Sequence, residues 1–308
     1  MKQSLYIGID CGGTRTGAVL CDAQNRVLKS AQSGPSNYLS VGMDAAVSAV
    51  RDAVEALGRT SEVAALALGS SALDECTRDA QYRAFCAALF ADELLSQIPL
   101  HFVESDARMA LYGLTGGESG ALLISGTGVM GLAQDGAGNL HTVAGFGDRL
   151  MDAGSGFSVG LFGILAALSF ADGIDDAGKA LHTRLLSHYA LSDARAFLTQ
   201  VYAPDYDKSL IASFSETVAE LAQENDAASV SILHDCADTL FSYAKALCKA
   251  VGKEKFSFGI YGSVLQKDKV VRERFLSAMR REFPAVSVEE PGISAEQAAA
   301  LYAQRRSL

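Results

Sequence analysis

The feature that most restricts the fold of this chain is a pattern written twice. Leu5-Tyr6-Ile7-Gly8-Ile9-Asp10-Cys11-Gly12-Gly13 is an apolar run closed by a small or polar residue and a glycine turn. Ala121-Leu122-Leu123-Ile124-Ser125-Gly126-Thr127-Gly128 has the same outline. In each copy a second short strand follows (Gly17–Leu20, then Gly131–Ala133). Next comes a turn that opens on Asp and closes on Asn (Asp22–Asn25, then Asp135–Asn139), and then a third strand (Val27–Leu28, then Leu140–Val143). Two unrelated β-meanders can share an outline, but here the distance from glycine turn to hairpin turn is nearly the same in both copies. Repetition at that length implies two related α/β domains, and the chain's 308 residues are about the length of two domains.

The rest of the chain is read around this repeat. Strands are expected at Leu5–Asp10, Thr16–Cys21, Val27–Ser30, Val63–Leu68 and Leu100–Val103. Helix-period apolar residues at Ala46, Val47, Val50, Val54 and Leu57, stopped by Gly58, predict a helix, and residues 80–95 read as another. Residues 154–253 read as almost wholly helical, and Phe256–Tyr261 then gives one more strand ending in a glycine turn. A last helix is predicted over Ser294–Arg305, with Ser294 as N-cap and Gln297 as its capping-box partner. Strands that pair first as hairpins and then alternate with helices predict a mixed α/β sheet.

Charge and composition exclude several functions. Lys and Arg number 26 against 36 Asp and Glu, a net charge of −10, which argues against a nucleic acid or an anionic membrane as partner. The longest apolar stretch, Gly156–Ala171, is too short to span a bilayer and reads as a buried helix. Met1-Lys2-Gln3-Ser4 runs straight into a strand without a charged leader or an apolar h-region. The expectation is a cytoplasmic protein without a signal peptide. Cys11, Cys21, Cys76, Cys86, Cys236 and Cys248 form no C-x-x-C pair and no zinc spacing, so they are expected to be reduced and mostly buried thiols. The 29 Gly against 5 Pro suggest backbone that must turn tightly or come close to a ligand.

Two motif matches fail on context. Gly126-Thr127-Gly128-Val129-Met130-Gly131 fits G-x-G-x-x-G, but a strand and a turn follow where the dinucleotide fingerprint requires a helix. Gly173-Ile174-Asp175-Asp176-Ala177-Gly178-Lys179-Ala180 nearly fits a P-loop. It has Ala where the magnesium hydroxyl belongs, and two carboxylates where phosphates would lie.

Three glycine turns remain, each closing an apolar strand: Asp10-Cys11-Gly12-Gly13-Thr14-Arg15-Thr16, Ser125-Gly126-Thr127-Gly128 and Gly259-Ile260-Tyr261-Gly262-Ser263. Successive N–H groups in such a turn form an anion site, and a Thr hydroxyl adds a donor. One such turn means little, because hairpins need glycine for steric reasons. Three, two of them in matching places of a repeat, point to phosphate. Asp10 has the placement of a carboxylate that holds magnesium through water, or of a residue that caps its own turn. Asp106, after the Leu100–Val103 strand, reads as the N-cap of a helix over Ala107–Leu114 and equally as a general base facing a hydroxyl; the two roles are compatible.

This combination resembles the superfamily of sugar kinases, heat-shock chaperones and actin, and more closely the BadF/BadG/BcrA/BcrD ATPase family with its N-acetylglucosamine kinase branch. The likeness runs from Ile7-Gly8-Ile9-Asp10 to the terminal helix. It implies an actin-like ATPase architecture: two ribonuclease-H-like domains with a nucleotide cleft between them, which close over the sugar. Residues 1–115 with the helix 294–308 would form the first domain, and 116–293 the second. It also implies ATP and Mg²⁺ as cofactors, a small amino sugar as substrate and a homodimer. Gly12, Gly13, Thr14 and Thr16 match the first phosphate motif, and Gly126, Thr127 and Gly128 match the second. Gly262 and Ser263 match the adenosine turn, with Asp10 beside the metal. Gly34-Pro35-Ser36-Asn37-Tyr38 resembles the sugar loop, with Asn37 on the substrate. Glu104-Ser105-Asp106-Ala107 matches the base-bearing segment, which makes Asp106 both catalytic and substrate-binding. Gly145-Phe146-Gly147 and Asp152-Ala153-Gly154-Ser155 resemble a further pattern, G-W-G…G-D-E-G-S, which puts Gly145 and Asp152 on the sugar side.

The chain departs from that pattern at several places. Cys11 and Met151 replace Gly, Phe146 replaces Trp, Ala153 replaces Glu, and Val129-Met130 replace the family's frequent Ser-Asn. The last of these lie on the sugar side and bear on which sugar is read. The activity implied is ATP-dependent phosphorylation of an amino sugar hydroxyl, N-acetylglucosamine or glucosamine giving the 6-phosphate. Phosphates would be held by the turns together with Thr14, Thr16 and Thr127. Two alternatives are an ATPase activator of a radical CoA-dehydratase or reductase, and a non-enzymatic sugar-sensing regulator. The first would use cysteines to hold an iron–sulfur cluster, and the second would need a DNA-binding module.

Overall fold

The computed structural model describes residues 4–73, 80–150 and 152–308; Cys76 and Met151 lie outside them. The chain forms two compact units, Met1–Ser119 with Pro291–Leu308, and Gly120–Glu290.

In the first unit β1 (Leu5–Cys11), β2 (Thr16–Cys21) and β3 (Val27–Ser33) form an antiparallel meander. The strands β4 (Val63–Ser70) and β5 (Leu100–Ser105) extend it in parallel, giving the order β3-β2-β1-β4-β5. β1 and β4 are nearly continuous apolar runs because both faces of these central strands are covered. The mostly exposed β3 forms the polar edge. Helices α1 (Tyr38–Val41), α2 (Met43–Leu57), α3 (Ala80–Ala91) and α4 (Asp106–Thr115) complete this part of the chain. One sheet face carries α2, whose Val50, Val54 and Leu57 share a core with Ile7, Ile9 and Leu20. The C-terminal helix Ala295–Arg306 covers the other face through Ala299, Tyr302 and Ala303, against Tyr6, Ala65 and Ala67. It lies so close to β1 that any side chain at Gly8 would run into the Glu296 carbonyl and the Ala300 amide.

Ser294 caps this helix by accepting from Gln297 N at 3.2 Å. The expected capping box does not form. The Gln297 side chain donates instead to the Asn25 carbonyl in the β2–β3 turn, at 2.8 Å. A partner 272 residues away cannot be read from local spacing.

The second unit repeats the first strand for strand. A meander of β6 (Gly120–Ser125), β7 (Val129–Gln134) and β8 (Leu140–Ala144) is joined in parallel by β9 (Ser257–Tyr261) and β10 (Ser287–Glu289). Read from the meander edge its order is β8-β7-β6-β9-β10, the counterpart of β3-β2-β1-β4-β5 with the same strand senses. The duplication seen in the sequence is therefore architectural. Around this sheet lie α5 (Gly156–Ala171), α6 (Lys179–His188), α7 (Phe197–Val201), α8 (Ser209–Gln223), α9 (Ala227–Val251), α10 (Ser263–Lys267) and α11 (Lys269–Glu282). The sequence reading missed β10 and α11. β10 is three residues, Ser-Val-Glu, with Val288 alone turned to the core, and α11 is dominated by charged residues around the few it buries (Val271, Phe275, Ala278, Met279). α5, expected as a buried helix, is buried along one face only, with Phe162 and Leu165 exposed, and Gly160 lets it approach the Ile211 carbonyl of α8. Among the described residues no single helix is long and apolar enough to cross a membrane.

Candidate active site

In the first unit the site grows from the end of β1. Asp10 pairs with Gly17 across β1–β2 and with Gly69 across β1–β4, so a residue without a side chain stands on each flank. The room over Gly17 is taken by the Glu296 carboxylate, which the C-terminal helix inserts there. The room over Gly69 is taken by Met109 and the backbone of Asp106. Burial, and then the negative charges of Glu296 and Asp106, push the Asp10 carboxyl up to about 6, against the pull of Arg15. Two further carboxylates thus act on the charge of Asp10 at this strand end.

The first glycine turn follows. Gly12 N bonds the Arg15 carbonyl at 3.0 Å, and the Gly12 carbonyl accepts from Ser36 N and Asn37 N at 3.1 and 3.2 Å. The turn and the Gly34–Asn37 loop are therefore one assembly. Thr14 is exposed, whereas Thr16 is fully buried; its hydroxyl donates to the Gly34 carbonyl (2.7 Å) and is paired with the Ser36 hydroxyl (2.6 Å). Its hydroxyl is spent on that clamp, a correction to its reading as a phosphate donor. Cys11 is an ordinary strand residue with no positive φ. Its thiol is buried and pushed up to about 12 by desolvation, and so is inert. Asn37 caps α1 through Leu39 N (3.1 Å), and its Nδ2 donates to Ser71 Oγ (3.1 Å). Ser71 in turn donates to the Cys11 carbonyl, a link the sequence does not show.

Asp106 stands at the end of β5 but is not the N-cap of α4. Ser105 is, accepting from Arg108 N at 3.1 Å, and Asp106 is the first helical residue. One Asp106 oxygen accepts from Ala107 N at 2.6 Å. Burial raises its carboxyl above the usual range, partly offset by that backbone bond.

In the second unit Gly126 N bonds the Gly128 carbonyl (2.9 Å), and the first turn of α5 holds the loop in place. Gly156 N donates to the Gly126 carbonyl at 2.7 Å and Phe157 N to the Thr127 carbonyl at 3.2 Å. Gly262, with φ of 87°, lies over Ser125 and Gly126, where a side chain would strike the Ser125 carbonyl. The Gly262 turn, expected to meet adenosine, and the Gly126–Gly128 turn, expected to meet phosphate, are thus neighbours. Gly128 faces Asp152, which is only 7 % exposed. Asp152 Oδ2 accepts from Val129 N at 3.3 Å, while Oδ1 is buried with no partner. Burial raises this carboxyl, against Val129 N and the charge of Lys208. Gly145 and Gly147 hold positive φ, and Phe146 between them is 77 % exposed.

Two glycines separate ligand need from steric need. Gly13 and Gly126 have no positive φ, and a Cβ would meet nothing within 4 Å at Gly13 and only the Gly262 Cα, at 4.0 Å, at Gly126. The fold does not require glycine at either position, and the absence of a side chain leaves room for a ligand to come close to the backbone. Among the described residues Gly13, Thr14 and Thr127 also keep their N–H groups free of protein partners. Within the second unit a cavity of about 310 Å³ is lined by Val159, Ser215, Ala219, Leu233, Ser263 and Val264. Apart from Ser263 these residues, like Glu296 and Lys208, were missed in the sequence, where helical positions carry no turn signal.

Two sheets of one topology, each closing its central meander strand with a glycine turn, define the actin-like ATPase fold. A solved structure from Chromobacterium violaceum, provisionally named an N-acetylglucosamine kinase, has that fold: TM-score 0.75 at 21 % identity over 98 % of this chain and 99 % of the other. The chain belongs to the BadF/BadG/BcrA/BcrD ATPase family, which matches residues 7–303. It is 26 % identical to the N-acetyl-D-glucosamine kinase of Dictyostelium discoideum over 98 % of both chains. It is also 26 % identical to the N-acetylmuramic acid/N-acetylglucosamine kinase of Clostridium acetobutylicum over 92 % of both.

Proposed function

We propose that this protein is an ATP-dependent sugar kinase, which moves the terminal phosphoryl group of ATP to the 6-hydroxyl of an amino sugar, N-acetylglucosamine or glucosamine. Its two units are read as the two ribonuclease-H-like domains. The observation that carries the reading is Asp152 Oδ1, a buried acceptor with no partner immediately beside the Thr127–Gly128 turn. An unsatisfied buried acceptor is costly, and a sugar hydroxyl next to a bound phosphate satisfies it.

The free N–H groups of Gly13, Thr14 and Thr127, with the Thr14 and Thr127 hydroxyls, hold phosphate oxygens. The cavity at Ser263 takes the base. Asn37 and Asp152 orient the sugar. Asp106 accepts the hydroxyl proton as the sugar oxygen bonds to phosphorus and the bond to the β-phosphate oxygen breaks. Such transfers rest on positioning and electrostatics, and a placed base contributes about 10²–10⁴ in rate. Asp10 and its neighbouring carboxylates fit Mg²⁺, which binds through one or two carboxylates together with phosphate and water. Among the described residues no group of three or more His, Cys, Asp or Glu side chains is placed to hold a metal ion by itself, so phosphate and water would have to complete the shell. When bound, the ion would spread charge over the phosphates.

The test is a coupled assay for ADP with ATP, Mg²⁺ and a panel of N-acetylglucosamine, glucosamine, N-acetylmannosamine and glucose. Sugar-dependent ADP formation with an amino sugar supports the reading; steady ATP hydrolysis indifferent to every sugar sinks it.

A further inference from the structure

The second glycine turn has a cation beside it that the mechanism above leaves idle. Lys208 stands directly before α8, with Nζ 3.9 Å from Asp148 Oδ1 and 3.9 Å from the point a Cβ at Gly128 would occupy. Its side chain is 38 % exposed. Three carboxylates lie around it, and two are already engaged: Asp207 accepts from Ser209 N at 2.8 Å, and Asp152 Oδ2 accepts from Val129 N. A lysine serving only to neutralise this group would close to hydrogen-bond distance with one of them. The contact to Asp148 is too long for that, so the ammonium is held near the turn without being consumed.

We infer that Lys208 is a phosphate-binding residue of the second turn, donating to the terminal phosphate of ATP and to the phosphoryl group in transit; this rests on the kinase reading. The order along α8 supports it. Ser215 lines the cavity read as the base site and lies against Gly156, which bonds the Gly126 carbonyl. Seven residues earlier, about 10 Å along the helix, Lys208 lies against Gly128. A nucleotide with its base at the Ser215 end and its phosphates on Gly126-Thr127-Gly128 points its last phosphate toward Lys208. The charge balance requires a cation there, because a triphosphate arrives where Asp148 and Asp152 already stand. Fixed cations at the transferring group are a recurrent source of transition-state stabilisation. The first turn has its own cation in Arg15, so each phosphate turn carries one. Lys208 gains and loses no proton: the electron pair of the broken bond stays on ADP and the hydroxyl proton goes to Asp106.

The experiment compares wild type, Lys208→Met and Lys208→Arg. The readouts are kcat, sugar affinity, and displacement of a fluorescent nucleotide by ADP and by the imido analogue of ATP. The Met variant should bind the analogue about tenfold or more weakly while its ADP affinity stays within about twofold, as expected for one lost charge-assisted bond. Its kcat should fall roughly 10²-fold, the cost of removing one preorganised donor, and Arg should restore much of both. Equal weakening of ADP and analogue, loss of sugar affinity alone, or no change would each overturn the assignment. If wild type forms no ADP with any sugar, the kinase reading fails, whereas the comparison of ADP with the analogue still reports on Lys208.

Discussion

Asp152 is pressed against Gly128. Its Oδ2 lies 2.7 Å from the point a Cβ at Gly128 would occupy, and its own φ of 43° is one that residues other than glycine seldom hold. To make room the carboxylate must turn away and give up its bond from Val129 N. Gly128→Ala should therefore displace Asp152 and weaken sugar binding by about tenfold or more, the worth of one hydrogen bond to a charged group. Calorimetric titration with the sugar checks it, with thermal unfolding as control. Undiminished affinity would remove Asp152 from the sugar site.

Gly13 and Gly262 should part company. Gly13→Ala meets nothing and needs no unusual φ, so stability should stay within about 0.5 kcal/mol while ATP affinity falls. Gly262→Ala combines a φ of 87° with a collision against the Ser125 carbonyl and should cost about 1–3 kcal/mol or more. Denaturant melts and nucleotide titrations on both variants make the comparison. Equal losses of stability would mean that Gly13 is structural.

Asp106→Asn should lower kcat by about 10²–10⁴ with little effect on nucleotide binding. The wild-type profile carries a sign. Burial raises the Asp106 carboxyl, and the base works ionised, so activity is present above that raised value and lost as pH falls through it. The acid limb of kcat should lie above the ordinary carboxylate range and shift in the Asn variant, whose remaining limb reports the raised Asp10 carboxyl. A wild-type rate flat across that range counts against the role.

Asp22 governs a different pH response. It accepts from Gln24 N (2.9 Å), Arg26 N (3.0 Å) and Arg26 Nε (2.7 Å), and the bond from the Arg26 side chain leads in holding its carboxyl below 3.8. A carboxylate depressed on folding stabilises above its unfolded value and loses that contribution as pH falls through the lower folded one. Asp22→Asn should therefore be less stable than wild type at pH 7, with the difference closing under strongly acid conditions, as urea melts across pH would show. A constant difference would assign the effect to the neutral hydrogen bonds.

Much of this was legible before any coordinates. The duplicated meander appears as two sheets of one order, and the glycine turns stand at the strand ends where periodicity put them. The departures have two causes: Asp106 loses the expected cap to its own chain neighbour, whereas Thr16 and Gln297 are engaged by residues 18 and 272 positions away. Thr16 clamps the Gly34 loop, Asp106 yields the cap to Ser105, and Gln297 reaches the β2–β3 turn.

The sequence by itself determined the local elements and the repeat, because strand alternation, apolar runs and glycine turns depend on neighbours a few residues away. Tertiary structure alone decided what surrounds the charges. Glu296 sits over Gly17 beside Asp10, Lys208 stands near Gly128, and Asp152 is buried with one oxygen unpaired. Burial and the approach of like charges arise only when distant segments meet, and they set the state of each carboxylate.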